Sequence, residues 1–247
     1  SEKEMTMHAF SDPQSRGYAR LAGIFYLIVV IAGVFAIAYV PTRLQVAGDP
    51  AATIASILDR RGLFTLGIGG DVVVMLAEIM VTAMLYLMFR PVNETLSLAA
   101  ALARLAMVAV MATMLFFHAA LVTFADPSGS VTGLSVAQRT DLASAMLHVH
   151  DAGVWIWQVF FTLHLALLGQ LVAASGAYPK LLGHAMTLGA FGYLLDSVYS
   201  FAAPDLAILG HVRAGLLAIV TLAEIGFALW LVIRGPRPSG PSTITTG

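Results

Sequence analysis

Cysteine is absent from all 247 residues. That excludes disulfides, thiolate metal ligands and cysteine nucleophiles, and it leaves the redox compartment open. Charge is scarce: Asp, Glu, Lys and Arg make up 11% of the chain, against roughly 25% in soluble domains. Neither sign dominates, since the net charge is −1, so there is no basic face for nucleic acid. Also missing are a phosphate-binding glycine loop, a nucleophile-elbow serine motif and the HExxH pattern of zinc hydrolases.

Hydrocarbon is what the chain has in abundance. Hydrophobic residues make up 59% of it, and mean hydropathy is +0.86. A bilayer core takes about 20 apolar residues per helix. Six runs are long enough: roughly 18–40, 63–89, 95–125, 141–174, 180–203 and 207–233. The first has Arg16 and Arg20 before it and Ala36-Ile37-Ala38 near its end, as a signal peptide would. Its apolar run is long for that role and the chain stays hydrophobic afterwards, so it reads as a retained span. The pattern predicts an all-α polytopic integral membrane protein with a single six-helix domain over residues 16–234. Residues 1–15 and 235–247 are polar and are expected to be mobile and disordered.

The connections carry local signals. In "GDPAATIASILDRRG", Asp49 can cap a helix, Pro50 suits its first position and Gly62 can end it. Ile54, Ile57 and Leu58 share a face, which predicts a short interfacial helix lying on the membrane. Ser135 and Gln138 form a capping-box pattern before the fourth run. Orientation follows from Lys and Arg. With the N-terminus in the cytoplasm, the inner segments hold Lys3, Arg16, Arg20, Arg90, Lys180, Arg234 and Arg237, and the outer ones hold Arg43, Arg60, Arg61, Arg139 and Arg213. Both termini are therefore expected to be cytoplasmic.

Ionisable side chains inside the runs form two layers when depth is counted at about 1.5 Å per residue. Glu78, Arg104, His164 and Glu224 all fall roughly 14–17 Å from the inner face. A buried Arg104 calls for a carboxylate, and Glu78 and Glu224 are both available. The outer layer holds Asp71, His118, His148, His150, Asp151 and Asp196, with His211 and Arg213 at the rim. Groups of this kind are costly in hydrocarbon and are often kept there for function. The bland readings are as specific. Glu78, Glu224 and Arg104 serve equally as a structural ion pair, His148 and His184 as interfacial residues, and His118 as a donor to a carbonyl on a neighbouring helix.

The order of features resembles a bacterial membrane family catalogued as domain of unknown function 4386. The matching stretches include "ARLAGIFYLIVVIAGVFA", "GDPAATIASI", "LFTLGIGGDVV", "FFTLHLALLGQLVAASGAYPKLLGHAMTLGAFGYLLDS" and "LAEIGFALWLVIRG". The resemblance covers about residues 19–235 and implies a six-helix bundle in a bacterial inner membrane, with no assigned activity. It also implies an Asp at Asp71, a His at His150, an Asp at Asp196 and a Glu at Glu224, whereas His118 and His148 are less typical.

Three function classes fit these residues. In the first, His118, His150, Asp71 and Asp196 hold Zn²⁺ or a small polar ligand, with Asp151, His164 and His211 lining the same pocket; an open coordination position would make it a metalloenzyme. In the second, the protein holds haem b: His150 and His164 have a spacing similar to that of ferric-reductase-like membrane proteins, and His118 faces them from another helix. Arg104 stands where the inner haem would need a histidine. The third is a proton-coupled carrier or a sensor, although no pair of broken helices marks a transport site. The expected partners are the bilayer and a small ligand or ion.

Overall fold

The computed structural model describes residues 12–128 and 131–237. Among them are seven helices and no strand. Helix α1 spans Arg16–Leu44 and contains a π-helical stretch, Val34–Tyr39. The others are α2 (Pro50–Asp59), α3 (Arg61–Phe89), α4 (Glu94–Ala125), α5 (Val136–Ala174), α6 (Lys180–Ala202) and α7 (Ala207–Ile233).

Local chemistry sets the starts. The side chains of Ser15, Asp49 and Asn93 accept from the amides of Tyr18, Ala52 and Leu96, satisfying donors that a helix start leaves open. Ser135 and Gln138 close a reciprocal capping box. Gly62 does not end α2. The chain bends at Arg60 (φ −109°, ψ 40°), and α3 begins at once. Gly176 and Gly235, both with positive φ, follow the ends of α5 and α7, where a left-handed residue closes the last turn without a Cβ penalty.

Five helices, α1, α3, α4, α5 and α7, are long and apolar enough to cross a membrane. The 23-residue α6 is not one of them. It is nevertheless wedged along its length between α5 and α7. A Cβ on Gly169 would lie 2.5 Å from the Gly183 carbonyl oxygen, one on Gly189 would lie 2.6 Å from the Val220 amide, and one on Gly192 would lie 2.7 Å from that of Leu217. Only glycine permits backbones this close, so these positions fix how α6 seats.

Each long helix packs on its neighbours in chain order, and α7 returns to α1. The six therefore form a closed ring. One end carries both described chain ends, where the Gln14 amide donates to Met88 O and Arg237 N donates to Ala177 O. At the opposite, loop-bearing end, Arg61 bonds Asp126, and Arg139 donates to the carbonyls of Phe124 and Asp126. Residues 12–15 and 235–237 thus take part in these caps and contacts; the rest of the two segments expected to be mobile lies outside the described residues.

Helix α2 sits at the loop end. Its apolar face is turned to protein: Ile54 and Ile57 are buried with Val40, Phe64, Leu121 and Ala143 in a second small core. The main core, around Tyr26, Met84, Leu165, Leu171 and Phe227, fills the half nearer the termini.

Candidate functional site: two polar chambers in the ring

The inner chamber draws on the whole ring. Arg104 of α4 is completely buried, and its Nε donates to the Glu78 carboxylate of α3 in a buried ion pair. Its Nη1 lies 2.9 Å from His164 Nε2 of α5. His164 Nδ1 is 2.9 Å from the Ala100 carbonyl oxygen. A carbonyl can only accept, so Nδ1 carries the hydrogen and Nε2 receives the one from Arg104. The Arg104 guanidinium carbon lies 4.9 Å from the Tyr26 ring centre of α1 and 5.9 Å from that of Phe161. Glu224 of α7 accepts a 2.7 Å hydrogen bond from the Tyr26 hydroxyl. The cavity beside this cluster measures about 230 Å³ and is lined from all six long helices, α6 contributing Tyr193. Of the two carboxylates open to Arg104, the ion pair uses Glu78, while Glu224 is reached through Tyr26.

The outer chamber, of about 320 Å³, is lined by Asp71, His118, His150 and Asp151 together with Trp155, Trp157 and the π-helical residues Ala36 and Ile37. The glycines before Asp71 do not break α3. They let α1 approach: a Cβ on Gly70 would lie 3.1 Å from that of Ala36, and one on Gly67 would lie 3.0 Å from Val40 Cγ1. A π stretch places an extra residue in one turn and is frequent at functional sites. The His118 and His150 rings stack with centres 3.5 Å apart and planes 16° apart, and Phe64 meets His118 edge-on at 5.0 Å. His150 Nδ1 stands 3.3 Å from Asp151 Oδ1. His118 Nδ1 is buried and has no protein partner.

Other sequence-expected residues lie elsewhere. Asp196 is bonded by Arg213, whose guanidinium lies over Tyr199, and by Gln158 Nε2 at 2.9 Å. It is therefore part of an α5–α6–α7 clasp and not of the histidine chamber. His164 belongs to the inner cluster. His211 and His148 are exposed and turn Nδ1 back to the carbonyls of Ala207 and Ser144, one turn earlier. His184 lines a shallow cleft near the chain termini with Lys180 and Asn93.

The four-ligand zinc set does not fit this arrangement. Among the described residues no group of three or more His, Asp or Glu side chains is placed to hold a metal ion. Imidazole lone pairs lie in the ring plane, so two rings stacked in parallel cannot both point at one ion. Nor do His118 and His150 fit a shared haem iron, whose axial ligands stand on opposite sides of the macrocycle.

Tyr26, Tyr193 and Trp157 do not stand out in the sequence, because aromatic residues inside apolar runs look like packing. A hydroxyl at the depth of Glu224 is the signal Tyr26 offers. The π stretch has no signal in composition.

A ring of apolar helices enclosing a buried ion pair defines a polytopic helical membrane protein. The chain matches, over residues 21–235, the family described as a domain of unknown function, DUF4386, and belongs to it. It is 29% identical over 171 residues to an uncharacterized protein of Archaeoglobus fulgidus, a match that covers 69% of this chain and 84% of the relative. No solved structure matches significantly.

Proposed function

We propose that the protein crosses the cytoplasmic membrane six times, with both termini inside, and binds a small organic cation in the outer chamber. Helix α6 counts as a span in this reading because it lies wedged between two helices long enough to cross, and because the Lys and Arg counts favour the terminal end as the cytoplasmic one.

The observation that carries the ligand reading is the buried, unpartnered His118 Nδ1 in a cavity whose lining includes Asp71 and Asp151 but no Lys or Arg. Two carboxylates favour a cation there. Trp155 and Trp157 line the same cavity, and an indole ring attracts an ammonium ion by about 0.5–2 kcal/mol depending on desolvation. Neutral His118 can accept from an ammonium N–H, giving the orphan nitrogen its partner. The stacked histidines favour an organic cation over Zn²⁺, which would need converging lone pairs.

The test is calorimetric titration of the detergent-purified chain with phenethylammonium, tetramethylammonium and Zn²⁺. Binding of phenethylammonium, weakened tenfold or more by Asp71→Asn and by His118→Ala but not by His184→Ala, is the expected result; tetramethylammonium, which has no N–H to offer His118, should bind more weakly and lose nothing with His118→Ala. Tight Zn²⁺ binding without amine binding would move the site to the metal reading. A reporter fused at the C-terminus is expected to be active inside the cytoplasm, and one inserted at Gly133 outside it; the reverse would overturn the topology.

A further inference from the structure

The inner chamber holds a second unanswered donor. Arg104 uses Nε on Glu78 and Nη1 on His164, while Nη2 is buried without a partner. An unsatisfied donor on a fully buried cation is costly, and a 230 Å³ cavity lies beside it.

The way into that cavity is lateral. Near the terminal end α1 and α7 touch closely: a Cβ on Gly23 would fall 2.7 Å from Val232 Cγ2 and 2.9 Å from the Ala228 carbonyl. Beyond Tyr26 the two helices have different neighbours. Helix α1 leans onto α3 through Ala36 at Gly70, and α7 stays with α6 through Val220 at Gly189. Val34 of α1, 62% exposed, and exposed Thr221 of α7 both line the cavity. The chamber therefore reaches the flank of the bundle between α1 and α7, where a spanning bundle meets lipid.

We infer that the inner chamber is a binding site for an uncharged, lipid-soluble molecule with a quinone- or phenol-type head, entering from the bilayer between α1 and α7. The head's oxygen accepts from Arg104 Nη2. Its ring lies among Trp157, Phe161 and Tyr193, and its apolar tail leaves between Val34 and Thr221. Charge excludes the nearest alternatives. Arg104 is already neutralised by Glu78, and Glu224 stands on the same wall, so a fatty acid or a phosphate head would bring a negative charge to a site with no free positive one. A cationic head would leave Nη2 unanswered.

The inference is independent of the amine reading, although the two chambers share Ile37, Met111 and Trp157. The probe is a decyl-substituted benzoquinone added to the detergent-purified chain, read by quenching of tryptophan fluorescence, with decylbenzene and decanoate, which do not quench, as comparison arms read by their displacement of the quinone. Saturable quenching by the quinone, at least tenfold tighter than binding of either comparison, is expected. Thr221→Phe, at the exposed rim where folding is not at stake, should weaken it tenfold. The double variant Arg104→Gln with Glu78→Gln should do the same, and His118→Ala should leave it unchanged. Equal binding of decylbenzene would overturn the inference by reducing the chamber to an apolar void, and tighter decanoate binding would overturn the charge argument. Insensitivity to Thr221→Phe would overturn the lateral entry. Loss with His118→Ala would place the probe in the outer chamber.

Discussion

Replacing Arg104 with methionine keeps a long apolar stem and deletes the charge. Three contacts go at once, and their sizes can be ranked. The guanidinium over the Tyr26 ring, desolvated, is worth about 2 kcal/mol. The hydrogen bond to His164 contributes roughly 1.5–3 kcal/mol. The greatest loss falls on the Glu78 carboxylate, whose side chain is 4% exposed. Stripped of its partner it becomes an uncompensated buried charge, at a cost of about 3–5 kcal/mol. Native proteins hold roughly 5–15 kcal/mol in total, so Arg104→Met should take a large share of the stability, as measured by SDS- or urea-induced unfolding in mild detergent. The cost of the stranded carboxylate is the one that a second change can reverse. Adding Glu78→Gln to Arg104→Met should restore about 2 kcal/mol or more, although Glu78→Gln alone is destabilising. Glu224→Gln should restore little, because Glu224 takes its hydrogen bond from Tyr26. Additive losses from Arg104→Met and Glu78→Gln would refute the ion pair as the main source of the destabilisation.

Three further outcomes follow from the geometry. Gly183→Ala places a Cβ 2.5 Å from the Gly169 carbonyl oxygen and should cost about 1–3 kcal/mol by overpacking; Gly69→Ala meets nothing within 4 Å and should be neutral or gain up to about 1 kcal/mol, both read by the same unfolding assay. Tyr26→Phe leaves one Glu224 oxygen without its donor and should lose about 1–3 kcal/mol, whereas Ile31→Leu on the exposed side of α1 should not. At the loop end, hydrogen bonds from Ser128, and then Arg61, hold the Asp126 carboxyl below the usual carboxylate range. Its contribution is present above about pH 4, the unfolded value, and fades as pH falls through the lower folded value. Hydrogen exchange of the 124–128 segment should show that acid-side loss in the natural chain and not in Asp126→Asn.

Depth can be counted on the sequence because a helix rises by a fixed amount per residue. The count places Glu78, Arg104, His164 and Glu224 in one layer, and the structure brings Glu78, Arg104 and Glu224 to one chamber with His164 behind Arg104. Depth says nothing about azimuth. Asp196 shares a depth range with His118 and His150 but points into the clasp with Arg213, because rotation about each helix axis is set by packing. Gly169, Gly183 and Gly189 do that for α6, and their contacts are between helices, invisible to any single run. Helix α2 shows the same limit: its apolar face is plain in Ile54 and Ile57, but the surface covering it comes from α1, α3, α4 and α5. The caps at Asp49 and Ser135 are legible because all their partners lie within three residues.

The closed ring also bears on the order in which the chain can be made. Glu78 and Arg104 lie 26 residues apart on consecutive helices, so they can enter the membrane together as an already neutralised hairpin. His164 joins one helix later. Glu224 waits longest: the hydroxyl it needs belongs to Tyr26, 198 residues upstream, on the first helix of the ring. Until α7 arrives, the flank of α1 that will seal the ring faces lipid, and the inner chamber has no wall on that side. A ribosome stalled before α7 would therefore leave an intermediate of five long helices and the short α2, with its arginine paired and its ring open, a natural target for membrane quality control.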